Sequence, residues 1–120
     1  MKTINYLIIG CLVLFSYCKK VEVPDDTPRC IKKEIRKIMR EKKCDSDSPA
    51  KVFQYEYKGE SVFLFPGPYC ISDGCSILYD SKCNIICYPT GGISGKGCDT
   101  KCSDFLQVAT NEKLIWEDAR

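Results

Sequence analysis

Ten cysteines and no histidine set the chemistry open to this 120-residue chain. A cysteine serves as a nucleophile, a metal ligand or half of a disulfide, and the first two roles usually borrow an imidazole. Without histidine the common general base, the commonest metal ligand and the partner of Ser or Cys nucleophiles are all missing. Structural pairing is the role that needs no partner chemistry, and it requires an oxidising compartment.

The start of the chain supplies a route to such a compartment. Lys2 is followed by an apolar run from Ile4 to Phe15, which ends at Ser16-Tyr17-Cys18-Lys19-Lys20. The run is too short for a mature transmembrane helix of about 20 residues and has the form of a secretory signal. Cys18 resembles the lipobox cysteine of bacterial lipoproteins, where cleavage precedes a cysteine carrying diacylglycerol. Phe15 and Ser16 suit that pattern, while Tyr17 is larger than the usual residue before the cut. Cys11, after Ile8-Ile9-Gly10, would leave a very short signal and strand Leu12 to Phe15 outside it. The expectation is therefore a signal peptide over 1–17, a lipidated Cys18 with a flexible tether over 18–29, and a folded domain over 30–120. An uncleaved anchor or a plain secretory signal are the alternatives.

With Cys11 and Cys18 set aside, eight cysteines remain: Cys30, Cys44, Cys70, Cys75, Cys83, Cys87, Cys98 and Cys102. Four disulfides drawn from them allow on the order of a hundred connectivities. Geometry removes some. Cys30 and Cys44 flank an expected helix and would lie roughly 20 Å apart, far beyond the limit of about 7 Å between bridged Cα atoms. Each should staple one helix end to the sheet. Cys83 and Cys87, if on one strand, would be about 13 Å apart. Their spacing matches that of Cys98 and Cys102, which favours the links Cys83–Cys98 and Cys87–Cys102. The same two pairs have zinc-ligand spacing, but an exported chain forms disulfides instead, so no metal and no cofactor are expected.

Other constellations are weaker. Gly91-Gly92-Ile93-Ser94-Gly95-Lys96-Gly97 lacks the spacing and the Ser/Thr after Lys that a phosphate loop needs, and is read as a turn. Asp73, Asp80, Asp99 and Asp104 could surround calcium, but no EF-hand spacing supports it and they read as turn-formers. No acid–base pair or nucleophile stands out, so no catalytic residue is assigned and no enzyme is expected.

The elements that must hold these residues follow from periodicity. Asp26-Thr27-Pro28 is a helix start, with a capping side chain before a residue of preset φ. From Cys30 to Lys43, Ile31, Ile35, Ile38 and Met39 trace one apolar helix face. Between Arg29 and Lys43 eight basic residues face two acidic ones, a net +6, whereas Cys44 to Arg120 carries a net −4; the overall +2 hides this division. A near-neutral total gives no argument for nucleic acid. The basic helix could touch anionic headgroups or an envelope protein, or only be solvated. Lys51–Phe65 alternates around Lys58-Gly59 as a hairpin, with Phe53, Tyr55 and Tyr57 on one face; with Phe63, Phe65 and Tyr69 these aromatics read as core under the helix rather than a recognition surface. A second hairpin pairs Ile77–Tyr79 with Ile85–Tyr88. Ser103 or Asp104 caps a short helix from Phe105, and Lys113–Trp116 is a last strand. The class is α+β, a small disulfide-rich domain with its N-terminal helix packed on an antiparallel β-meander.

From Cys30 onward the chain resembles a family of small exported proteins and lipoproteins of Bacteroidetes-type bacteria, a domain of unknown function. The residues that carry this are Cys30-Ile31 opening the charged helix, Tyr55-Glu56-Tyr57-Lys58-Gly59 followed by Val62-Phe63, Leu78-Tyr79-Asp80, Ile86-Cys87-Tyr88-Pro89-Thr90-Gly91-Gly92-Ile93, Lys101-Cys102-Ser103-Asp104-Phe105 and Leu114-Ile115-Trp116-Glu117-Asp118. Members are similar in having Asp-Gly loops near Lys82-Cys83 and Cys98-Asp99. Cysteines at both places fit a Cys83–Cys98 link and weaken a calcium role. The resemblance implies no activity. The expectation is a non-catalytic binding or structural lipoprotein of the bacterial envelope, held at the outer membrane by its lipid; a freely secreted inhibitor or effector is the alternative.

Overall fold

A computed structural model of the chain describes residues 22–41, 49–67, 74–91, 98 and 102–120. The element order is α1 (Arg29–Arg40), β1 (Lys51–Tyr57), β2 (Glu60–Phe65), β3 (Ile77–Tyr79), β4 (Ile85–Cys87), α2 (Phe105–Val108) and β5 (Thr110–Glu117). The strands form one antiparallel sheet in the order β4-β3-β2-β1-β5. The first four make the expected meander, and β5 returns to pair along the open edge of β1. The class is α+β, as the periodicity indicated.

The β1–β2 turn shows why this hairpin closes in two residues. Lys58 and Gly59 both have positive φ, 50° and 80°, the requirement of a type I′ turn whose twist matches the strands. The β1–β2 register places Phe53 opposite Leu64 and Tyr55 opposite Val62. Residues directly opposite share a sheet face, so the two faces are distinct. Ile31 and Ile35 of α1 are fully buried against Val52, Phe63, Phe65 and Trp116 on one face. Tyr57, Val62, Leu64, Leu78 and Cys87 form a second cluster with Phe105 of α2.

That division corrects one expectation. Phe53, Tyr55 and Tyr57 do not lie under α1. They occupy the opposite face from Phe63 and Phe65, where Phe105 stacks edge-on to Tyr55 and Tyr57 at centroid distances of 5.1 and 5.3 Å. Alternation along β1 and the pairing register separate the two aromatic groups. Tyr69 lies outside the described residues.

Both ends of α1 differ from the sequence expectation. Pro28, with ψ of 141°, occupies the cap position and no side chain caps the helix. Thr27 instead turns inward, 5% exposed, while its N–H donates to Pro24 O at 3.0 Å. Val23 packs on the helix-side cluster, so the end of the expected tether is folded onto the domain. At the other end, Glu41 is already extended, with ψ of 153°. The terminal carbonyls there meet Arg120, whose guanidinium donates to Met39 O and Glu41 O at 2.9 Å and to Ile38 O at 3.3 Å. Asp118 holds that guanidinium from the other side through Nε at 2.9 Å and Nη2 at 2.6 Å.

Candidate functional site

The sulfur framework comes first, because it positions everything else. Cys30 is bonded to Cys83, Cys75 to Cys98 and Cys87 to Cys102, with Cα separations of 6.0, 6.3 and 5.8 Å. The expected Cys87–Cys102 link is present. Cys83–Cys98 is not, and the reason is local. Cys83 does not extend β4; it sits in the β3–β4 turn with φ of 62°. It packs on the helix-side cluster, whereas Cys87 belongs to the opposite one. Two cysteines on opposite faces cannot make parallel links to one segment. Cys83 therefore meets Cys30 in the first turn of α1, the staple expected of that helix end. Cys18, Cys44 and Cys70 lie outside the described residues.

The β3–β4 turn that carries Cys83 is built around Asp80. Its carboxylate accepts the N–H groups of Lys82 and Asn84, both at 2.9 Å, and the Asn84 side-chain amide at 3.1 Å. These bonds, led by that from the Asn84 backbone, hold the Asp80 pKa below the usual carboxylate value. Asp104 is comparably occupied. It accepts the Tyr57 hydroxyl at 2.8 Å and lies 3.5 Å from Lys58 Nζ, and its pKa is lowered chiefly by the hydroxyl. Both aspartates thus serve as turn and contact residues. Asp73 and Asp99 lie outside the described residues, and among those described no group of three His, Cys, Asp or Glu side chains is placed to hold a metal.

Beside this turn lies an open polar concavity of about 620 Å³, whose lining includes Asp26, Gln54, Glu60, Asp80 and Lys82. Of the glycine-rich loop only Gly91 is described. With φ of 101° it lies against the backbone of Gly74 and Cys75. Ser76 and Thr90 lock that end of the second hairpin, since Ser76 N donates to Thr90 O at 2.9 Å and Thr90 N to Ser76 Oγ at 2.8 Å.

The outward face of α1 is strongly cationic. Lys37 is tied to Glu34 at 2.8 Å, and that hydrogen bond raises its pKa. Lys32 donates to Asp25 O at 3.3 Å. Arg29, Lys33, Arg36 and Arg40 are exposed and, among the described residues, make no ion pair. Their spacing of four, three and four residues aligns them on one side of the helix, away from Ile31 and Ile35. The stripe was visible in the sequence as charge. Its clean separation from the apolar face emerges only once Lys32 and Lys37 are seen to be engaged.

Nothing local in the sequence marked the Arg120–Asp118 clamp, because its target lies about 80 residues away. Only two charged residues near a strand end were available as a signal.

Comparison with known proteins adds one assignment. A family model described as a domain of unknown function, DUF6970, matches residues 37–118, from the last turn of α1 through β5. Cys30 and the first two turns of α1 precede the matched span. No curated protein and no solved structure matches the chain.

Proposed function

The chain belongs to the DUF6970 family, and on that premise we propose that it is an exported, lipid-anchored, disulfide-stapled binding or structural module of a Bacteroidetes-type bacterial envelope. The observation that carries this reading is the set of three disulfides joining α1, the second hairpin and the segment before α2. Such bridges form and persist in oxidising compartments. The basic start, the apolar run and Cys18 supply an export route and an anchor point. A diacylglyceryl group with a further acyl chain would give stable attachment, since one chain alone is marginal.

The side chains favour binding over catalysis. The carboxylates of Asp80 and Asp104 are held by turn and contact bonds, and six of the cysteines are committed to disulfides. Metabolic labelling with a clickable palmitate analogue tests the anchor. Wild type should be labelled, and Cys18→Ser should not. Equal labelling of the two would overturn a lipid at this cysteine.

A further inference from the structure

We propose that the outward stripe of α1, formed by Arg29, Lys33, Arg36 and Arg40, docks on the anionic phospholipid headgroups of the membrane that carries the Cys18 lipid. The inference rests on the anchoring reading above for its location, but the stripe's own affinity can be measured without it.

Three observations converge on this surface. The first is alignment. The four cations lie along about 16 Å of one helix, opposite the buried Ile31 and Ile35, so all four can meet a flat surface together. The second is the charge division. The chain from Cys44 to Arg120 has a net charge of −4, so an anionic surface attracts α1 and repels the rest, fixing one orientation. The third is reach. Val23 is already packed on the domain core and stands five positions after Cys18. At about 3.5 Å per residue the connection spans no more than about 17 Å. A connection that short keeps the domain at the bilayer surface, where α1 can come within a screening length of the headgroups. Tethering makes the contact intramolecular, so a modest intrinsic affinity suffices.

The acids bordering the stripe do not cancel it. Glu34 is engaged by Lys37, Asp25 and Asp26 lie before the helix start at one end, and Glu41 is extended past the last turn at the other. Nucleic acid is the poorer fit, because the acidic remainder would be repelled by any partner that wraps the domain.

The test uses the full chain carrying Cys18→Ser, which cannot be acylated there. Binding is compared on phosphatidylcholine vesicles and on vesicles with roughly one-third phosphatidylglycerol. The apolar N-terminal run with Lys2, Lys19 and Lys20 is common to every variant, so the change in the ratio of affinities between variants isolates the stripe. Two fully engaged cations at about 1 kcal/mol each supply about a 30-fold preference for the anionic vesicles, and at least that preference is expected. It should fall at least about tenfold relative to the parent in R29Q/K33Q/R36Q/R40Q. It should persist in R29K/R36K/R40K, which keeps charge, and in Lys113→Gln, which removes an exposed cation on β5. Matching helical circular dichroism across the set shows that the fold is retained. No preference in the parent, or an undiminished one in the four-glutamine variant, would overturn the proposal. So would tighter retention on duplex DNA than on the anionic vesicles at equal salt. Palmitate labelling at Cys18 is read separately, so failure of the anchor and failure of the stripe are distinguishable.

Discussion

Cys30 and Cys83 are 53 residues apart in sequence yet bonded, with their Cα atoms at 6.0 Å. This one link ties the first turn of α1 to the turn between β3 and β4. Without it α1 is held by Ile31, Ile35 and flanking contacts and by the Arg120 clamp. Closing a loop of this length contributes about 4 kcal/mol in the chain-entropy account. The Cys30→Ser/Cys83→Ser double variant is therefore expected to lose about 2–5 kcal/mol in a denaturant titration, with hydrogen exchange accelerated first in α1. Reductant should have a larger effect than the double variant, because it also opens Cys75–Cys98 and Cys87–Cys102, whereas a chelator should leave the melting curve unchanged.

Phe105 anchors the face of the sheet opposite α1. It is fully buried and meets Tyr55 and Tyr57 edge-on, although α2 itself has only four residues. Phe105→Ala should cost about 3–5 kcal/mol, and it should raise the fluorescence accessibility of Tyr57 to quenchers. Leu106→Ala, one position on and 66% exposed, should leave the denaturation midpoint unchanged. Equal effects would contradict the two-faced core.

Arg120 supplies the C-terminal cap that α1 lacks locally. Its charge-assisted bonds to the carbonyls of Ile38, Met39 and Glu41 should be worth about 1.5–3 kcal/mol in total. Arg120→Ala is expected to lower the unfolding free energy by that amount and to speed amide exchange at Glu41, whose N–H closes the last turn. Arg120→Lys should recover only part of the loss, since an ammonium cannot reproduce a planar fork held by Asp118.

Acid should weaken the domain through Asp80 and Asp104. Both carboxyls have pKa values lowered in the folded chain, the first mainly by the Asn84 N–H and the second by the Tyr57 hydroxyl. Their bonds therefore contribute fully above the unfolded-state pKa of about 4 and are lost as the pH falls through the folded-state values. The thermal midpoint should be flat from about pH 7 to pH 5 in this respect and decline below about pH 4. Asp104→Asn should make that acid limb shallower and lower the midpoint at neutral pH.

The elements with strong local signals were readable from residues alone. Ile31, Ile35, Ile38 and Met39 marked α1, and the Lys58-Gly59 hairpin followed from alternation and a turn-forming pair. What escaped was long-range. β5 runs from Thr110, three residues earlier than its apolar pattern suggests, because pairing with β1 extends it past Leu114. The Cys83–Cys98 expectation assumed that a four-residue spacing lay along one strand, and the positive φ of Cys83 removes that premise. Residues before α1 read as an extended tether by composition, yet Val23 and Thr27 are drawn into the fold by burial that no local pattern encodes. The cationic stripe was legible as composition, but not as four exposed cations on one line, without an ion pair among the described residues.

The central claim is that this is an oxidised domain delivered to the envelope and held there by a lipid on Cys18. Intact-mass analysis of the chain extracted from membranes, followed by sequencing of its first peptide, tests it most directly. The account predicts a chain beginning at an acylated Cys18 without residues 1–17, lighter by two hydrogens for each disulfide, with Cys30–Cys83, Cys75–Cys98 and Cys87–Cys102 recovered as linked peptides. A chain that retains Met1, or begins at an unmodified residue and carries free thiols at those six positions, would contradict it.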